Sequence, residues 1–249
     1  MKHQYTILPD DRSWTSSRAT QSLDIDYSSA AAALTADAIP FTSRSQPART
    51  AYEIWKRAFD LIVASIGITI ALPVLLGVAV AIKLTSHGPV IFAHRRIGLN
   101  GEEFDCWKFR TMVPDAEQVL KNDPELQEQF RAKFKIDDDP RVTRVGGFLR
   151  RTSLDELPQL FQVMAGRMTL IGPRPIVRRE VPLYSVYCNK LFSVKPGLSG
   201  LWQTSGRSDT TYAERVLIDV HYIDHRGIGL DMRIFLRTFA VVLKRAGAC

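Results

Sequence analysis

Residues 61–82, LIVASIGITIALPVLLGVAVAI, constrain this chain more than any other stretch, because all 22 lack a charge. A run of that length is long enough to cross a bilayer as a helix. Pro73 divides it, leaving 12 residues before and 9 after, and each piece alone is too short for roughly 30 Å of hydrocarbon. The flanks share a sign, with Arg49, Lys56 and Arg57 on one side and Lys83, Arg95 and Arg96 on the other. Positive residues mark the cytoplasmic side, so both ends are expected on one face. A re-entrant helix–break–helix at Leu72-Pro73 satisfies both facts and is favoured slightly over a kinked single-pass helix; a buried core helix is the third arrangement. In the re-entrant form, carbonyls freed near Pro73 need the hydroxyls of Thr69 or Ser65, or neighbouring protein.

The rest of the chain has ordinary globular composition. Among 249 residues 45% are apolar and 24% charged, which excludes wholesale disorder and fibrous repeats. Thirty-three Lys and Arg against 26 Asp and Glu give +7, favouring anionic partners. Cys106, Cys188 and Cys249 are odd in number, far apart and without CxxC. A disulfide framework and a thiolate zinc site are therefore not expected, and a reducing compartment fits. The first residues lack a signal-peptide apolar region, so secretion is not expected. Residues 1–48, rich in Ser, Thr and Ala, read as a disordered tail with a transient helix at 30–38, and the domain proper as 49–249.

Strands are expected at 90–92 and 103–109, joined through the two-residue hairpin signal Asn100-Gly101. Residues 115–135 read as solvated helix interrupted at Asp123-Pro124, and 137–140 (DDDP) as an acidic turn rather than a metal site. Over residues 230–245, Arg233, Arg237 and Lys244 share one stripe of an otherwise apolar helix. Such an amphipathic helix suits a membrane interface, or a core with one wet edge. The expected fold class is mixed α and β, helix-rich with a small β-hairpin or sheet.

The densest chemistry lies in residues 150–174, RRTSLDELPQLFQVMAGRMTLIGPR. Leu157, Leu160, Phe161 and Met164 follow helical spacing, so a helix is expected to start near Asp155, with Pro158 in its first turn. Ser153 and Glu156 fit a capping box with Asp155 as a first-turn acid, which alone explains both carboxylates. Capping does not explain Arg150 and Arg151 upstream, or the second loop Pro173-Arg174-Pro175. Arginines beside a helix N-terminus suit a phosphate. There one carboxylate can hold magnesium while the other attacks phosphorus. Lys108 and Arg110 end the second strand, where side chains can reach a cleft. Residues 195–207, KPGLSGLWQTSGR, hold three glycines and end in Arg207; alone they read as turn grammar and match no GxxxxGK[ST] loop. His221 and His225 lack an HExxH context and read as surface residues. Trp107 and Trp202 lie near basic residues, but no nucleic-acid module is present.

Taken in order, KRAFD (56–60), the Pro-broken apolar segment, HRRIG (94–98), KFRTM (108–112), DDPRVTRVGGFLRRTSLDELPQL (138–160), LIGPRP (170–175) and KPGLSGLWQTSGR (195–207) resemble the bacterial sugar transferases, monotopic phosphoglycosyl transferases acting on polyprenyl phosphate. The likeness is greatest to those that initiate exopolysaccharides with galactosyl or glucosyl phosphate. Two positions depart from the family pattern: Leu72-Pro73 replaces a frequent Ser-Pro, and His94 stands where many relatives carry Gln.

The resemblance implies that a UDP-hexose and polyprenyl phosphate give polyprenyl-diphosphate-hexose and UMP, the first membrane step of exopolysaccharide synthesis. It implies Asp155 as nucleophile, forming a covalent phosphosugar intermediate, and Glu156 as a holder of Mg2+. It also implies Lys108, Arg150, Arg174 and Arg207 on phosphate or nucleotide groups, with the Pro173-Arg174-Pro175 loop near uridine; Arg110 joins this set as a candidate. The location implied is the cytoplasmic face of the bacterial inner membrane, with a re-entrant segment and a C-terminal region resting on lipid. Two other readings of the same residues are a Mg2+-dependent membrane phosphohydrolase and a non-enzymatic membrane assembly subunit. The choice of hexose and the oligomeric state are not legible in the sequence.

Overall fold

The computed structural model describes residues 50–133, 136, 138–205 and 211–243. The tail at 1–48, together with Arg49, Asp137, Arg207, Lys244 and Cys249, lies outside the described residues. The uncharged run forms part of a single helix, α1 (Thr50–Thr85), of 36 residues and hence about 54 Å long. It continues through Pro73, so the expected break does not interrupt the helix. A proline removes one backbone bond and crowds the preceding turn; packing on both sides of Pro73 keeps the register. Asp60, Ala64, Leu75, Val78 and Ile82 are all buried, and their spacing keeps them on one helical face. The opposite face is apolar and bare, with Ile70 73% and Leu84 81% exposed. Only 11% of the most apolar stretch is buried, so α1 is not a core helix. The Thr69 hydroxyl bonds the Ser65 carbonyl at 2.9 Å, one turn before the proline.

The charged residues near the start of α1 fasten it to the domain. Lys56 Nζ lies 2.6 Å from Asp231 Oδ2, which also accepts from the Tyr52 hydroxyl at 2.7 Å. Tyr222 donates to the other carboxylate oxygen at 2.8 Å. Arg57 donates to the carbonyls of Val163 and Met164. Asp60 accepts from the Thr169 hydroxyl and the Leu170 amide.

Beyond α1, strands β1 (Ile91–Ile97) and β2 (Glu103–Phe109) pair antiparallel, with Phe92 opposite Lys108, His94 opposite Cys106 and Arg96 opposite Phe104. β1 runs further than expected. Its connection to β2 is a five-residue loop, not two, although Asn100 and Gly101 still supply the positive φ angles of 57° and 75°. Helices α2 (Ala116–Asn122) and α3 (Pro124–Lys133) break where expected, and the Asp123 carboxylate accepts from the Glu125 and Leu126 amides. In the acidic turn, Asp139 pairs with Arg141 at 2.7 Å.

Helix α4 (Arg144–Thr152) leads through a 3-10 turn, Leu154–Glu156, to α5 (Gln159–Met164). Strands β3 (Thr169–Ile171) and β4 (Gly197–Ser199) then pair in parallel. Between them lie α6 (Val181–Tyr184) and α7 (Cys188–Leu191), and after them α8 (Leu201–Ser205), α9 (Tyr212–His225) and α10 (Ile228–Leu243). A Cβ on Gly197 would come within 2.2 Å of the Gly172 amide nitrogen, so the glycine loop first serves close strand packing.

The main core joins the first half of α1 to α5, β3, α9 and α10. A second cluster joins Leu75, Val78 and Ile82 to Phe109 and Leu149. Helix α10 combines both expected arrangements: Ile234 is fully buried while Leu236 and Phe239 are 64% and 55% exposed. An aromatic ladder, Trp55–Phe59–Phe235–Phe239, runs between α1 and α10. Cys106 and Cys188 are buried free thiols, and His221 and His225 stack on one another at 4.2 Å.

Candidate active site

The end of β2 and the start of α4 are locked together. Thr143 caps α4, its hydroxyl accepting from the Gly146 amide at 2.9 Å, and its own amide donates to the Thr111 carbonyl. Gly146 presses on the same segment so closely that a Cβ would sit 1.9 Å from Thr111 O. At the other end of α4, Arg150 Nε donates to the Thr111 hydroxyl at 3.0 Å. The C-terminus of α4 therefore sits beside the exit of β2, and with it the turn carrying Asp155 and Glu156.

The capping box expected at Ser153 does not form. Ser153 adopts a left-handed conformation with φ 57° and closes α4, its amide donating to the Arg150 and Leu149 carbonyls. Neither Ser153 nor Asp155 makes a side-chain cap, and the regular helix begins only at Gln159. The cause is geometric: a residue in the left-handed region ends one helix and turns the chain before the next. The two carboxylates are thus released from helix capping. Glu156 Oε1 lies 2.6 Å from Lys108 Nζ. Asp155 is buried, and that burial pushes its carboxyl above the ordinary aspartate range, while Lys108 and Arg150 draw it down and Glu156 adds to the rise. A poorly hydrated carboxylate faced by two cations can attack an electrophile whose leaving charge those cations also stabilise.

The Pro173-Arg174-Pro175 loop is fixed by its carbonyls. Pro173 O accepts from the Gly197 amide at 2.8 Å, and Pro175 O accepts from Arg96 Nη1 at 3.0 Å. Arg174 itself makes no hydrogen bond or ion pair among the described residues, and with Ile97, Phe192 and Pro196 it lines a shallow concavity. It lies near enough to act electrostatically on His94 and Arg96 of β1, and His94 also feels Lys108.

The structure therefore brings Lys108, Arg150, Asp155 and Glu156 together, with Arg174 on the neighbouring loop. It does not bring Arg110 to them. The buried Arg110 guanidinium donates to the Pro89 carbonyl, the Ser86 hydroxyl and the Ser86 carbonyl, tying the end of α1 to the hairpin. Arg110→Ala removes three hydrogen bonds made by a buried guanidinium and is expected to cost about 2–3 kcal/mol in chemical denaturation, with ligand affinity at the Asp155 site unchanged. Arg207 lies outside the described residues. Sequence reading uses HRRIG only as a family motif and flanking charge, and gives no site role to His94, to Arg96, which contacts both His94 and Glu180, or to Glu180. The signal was the two-residue period of β1, which puts 92, 94 and 96 on the face shared with Lys108.

For a metal, the described residues contain no cluster of three or more His, Cys, Asp or Glu ligands. Paired acids beside cations nevertheless fit Mg2+, which is commonly held by one or two carboxylates plus substrate phosphates. Trp202 is covered by the Arg215 guanidinium, 4.2 Å from its ring centre, and so offers no free stacking face there.

A family model described as bacterial sugar transferase matches residues 51–245. UDP-galactose-lipid carrier transferase of Erwinia amylovora is 43% identical over 197 residues, covering 78% of this chain and 41% of that protein. Undecaprenyl-phosphate galactose phosphotransferase of Salmonella typhimurium is 43% identical over 198 residues, with 78% and 41% covered. Exopolysaccharide production protein ExoY of Sinorhizobium fredii is 42% identical over 199 residues, covering 78% of this chain and 88% of the relative. The chain thus spans about two-fifths of the first two relatives and most of the third.

Proposed function

The chain belongs to the bacterial sugar transferase family, and on that premise we propose that it transfers hexose-1-phosphate from a UDP-hexose to polyprenyl phosphate and releases UMP. The observation that carries the proposal is the placement of Asp155: buried, outside any helix cap, and flanked electrostatically by Lys108 and Arg150. The names of the Erwinia and Salmonella relatives support a UDP-sugar donor and an undecaprenyl phosphate acceptor. ExoY supports a place in exopolysaccharide production.

In this reading an Asp155 carboxylate oxygen attacks the β-phosphorus of the donor. The bond from that phosphorus to the bridging oxygen breaks, and UMP leaves with the electron pair. An oxygen of polyprenyl phosphate then attacks the same phosphorus and Asp155 leaves as a carboxylate, closing the cycle. Lys108 and Arg150 stabilise charge on the phosphoryl oxygens, and Arg174 holds phosphate or nucleotide. Glu156, with the donor's own phosphate oxygens, is the residue to hold Mg2+. Bound there, the metal would supply Lewis-acid charge neutralisation on the diphosphate.

The membrane geometry proposed is monotopic, with the continuous helix bending at Leu72-Pro73 on insertion, rather than breaking there, so that the apolar segment enters and leaves one leaflet on the cytoplasmic face. Both halves of α1 pack on the same domain, which supports one-sided insertion. So does its bare outer face beside the exposed Leu236 and Phe239 of α10. The aromatic ladder from Trp55 to Phe239 suits the headgroup level.

Washed membranes carrying the chain, supplied with magnesium and a UDP-hexose, test the reaction. Repeated turnover to UMP is expected only when polyprenyl phosphate is supplied in excess over enzyme, with at most one equivalent of UMP per enzyme formed without it. UMP formed continuously without lipid would mean hydrolysis, and UDP as the product would mean ordinary glycosyl transfer.

A further inference from the structure

On the face of the hairpin shared with Lys108, the His94 imidazole is held in one chemical state. Arg96 Nη2 lies 3.1 Å from His94 Nδ1. A guanidinium only donates, so Nδ1 must accept and cannot carry a proton. Arg96 is itself fixed, donating to Pro175 O at 3.0 Å and lying 3.8 Å from Glu180. Burial and four neighbouring cations, Arg96, Lys108, Arg179 and Arg174, push the His94 imidazole down to about 4. The nearby carboxylates are engaged with those cations, Glu156 with Lys108 and Glu180 with Arg96. The ring is therefore neutral at physiological pH, with its only proton on Nε2. No protein group among the described residues bonds Nε2. The Phe92 ring packs against the imidazole at 5.6 Å and fixes its tilt. A neutral donor near Arg174, which makes no hydrogen bond or ion pair among the described residues, is an arrangement an anion completes.

We propose that His94 is a substrate-binding residue, donating its Nε2 proton to a phosphate oxygen in a subsite shared with Arg174 beside Lys108. The inference rests on the phosphoglycosyl transfer reading for the identity of its ligand. Both the diphosphate of the donor and the lipid phosphate present this chemistry. In either case the neutral ring adds a hydrogen bond without adding a fifth positive charge, so the phosphate is oriented rather than merely attracted.

The test uses the full chain in detergent, with equilibrium binding of UDP and of a short-chain prenyl phosphate to wild type, His94→Gln, His94→Asn and His94→Ala. Glutamine places an amide N–H near the Nε2 position, whereas asparagine reaches only as far as Nδ1. Loss of the bond is expected to weaken one ligand about tenfold in the Ala and Asn variants, with His94→Gln recovering most of it. Weakening of UDP alone assigns the donor diphosphate, and weakening of prenyl phosphate alone assigns the acceptor.

Unchanged affinity for both ligands in His94→Ala overturns the proposal and leaves the transferase reading standing. So does a His94→Gln variant as weak as alanine, which would mark a packing role. A wild-type chain that binds neither ligand overturns both. Should the variants misfold, the 15N spectrum of histidine-labelled wild type decides: a neutral, Nε2-protonated His94 is expected down to pH 5.5, and titration near the ordinary histidine value contradicts it.

Discussion

Asp155→Asn is expected to abolish UMP release while making the protein more heat-stable. The loss should be about 10⁴-fold or more, the scale seen when a covalent nucleophile is removed. An amide is nearly isosteric with the carboxylate, so neither packing nor the left-handed Ser153 turn should change. The stability gain follows from the cost of burial. The folded carboxyl of Asp155 is raised above its unfolded value, with desolvation as the main cause. A raised carboxyl favours the fold while protonated and loses that advantage as pH climbs through the folded value. The neutral amide carries no such loss. The thermal midpoint of Asp155→Asn should therefore exceed wild type at pH 7 by a few degrees, about 2–4 °C per kcal/mol for a chain of this size. The difference should vanish below about pH 4, where both forms are neutral. A carboxylate serving only structure would show the reverse, with activity kept and stability lost.

The second large effect concerns how the apolar helix is held. Lys56→Met is expected to cost about 3–5 kcal/mol, because it leaves Asp231 as a buried charge without its cation. Asp231 is 1% exposed, and the two hydroxyls that remain on it, from Tyr52 and Tyr222, do not replace a full charge. Thermal unfolding in detergent should fall by at least 6 °C. Lys56→Met combined with Asp231→Asn should recover most of the loss, since the amide oxygen still accepts from one tyrosine, the NH2 faces the hydroxyl oxygen of the other, and no unpaired charge remains. Full additivity of the two single variants in a double-mutant cycle would show that the pair is not coupled and that α1 is held by apolar packing alone.

These two residues illustrate what the chain discloses before it folds. The chemistry was legible at Asp155 and Glu156 because two acids framed by arginines imply a phosphate site. Their release from capping was not legible: Ser153-x-x-Glu156 satisfies the spacing of a capping box, and only the left-handed turn at Ser153 shows that the motif is unused. Arg110 misled for a similar reason. It adjoins the strand end that carries Lys108, yet its guanidinium closes the loop after α1, a contact between segments that periodicity does not report. The 22-residue run disclosed its affinity for an apolar medium but not its course through Pro73, which depends on contacts with Phe109 and Leu149 far along the chain. Lys56, Arg57 and Asp60 entered the sequence reading as flanking charge and as part of a family motif. Their roles as anchors to Asp231, the α5 carbonyls and β3 required partners more than a hundred residues away.

The most direct measurement is to mix purified chain and magnesium with a UDP-hexose labelled in the sugar, omit polyprenyl phosphate, quench in acid and weigh the intact protein. The mechanism predicts one hexose phosphate bound covalently, mapped to Asp155 after digestion, with one equivalent of UMP released and the label discharged on adding lipid phosphate. Wild-type protein that turns over with lipid yet carries no label without it, or an Asp155→Asn variant that carries the label, would contradict the account.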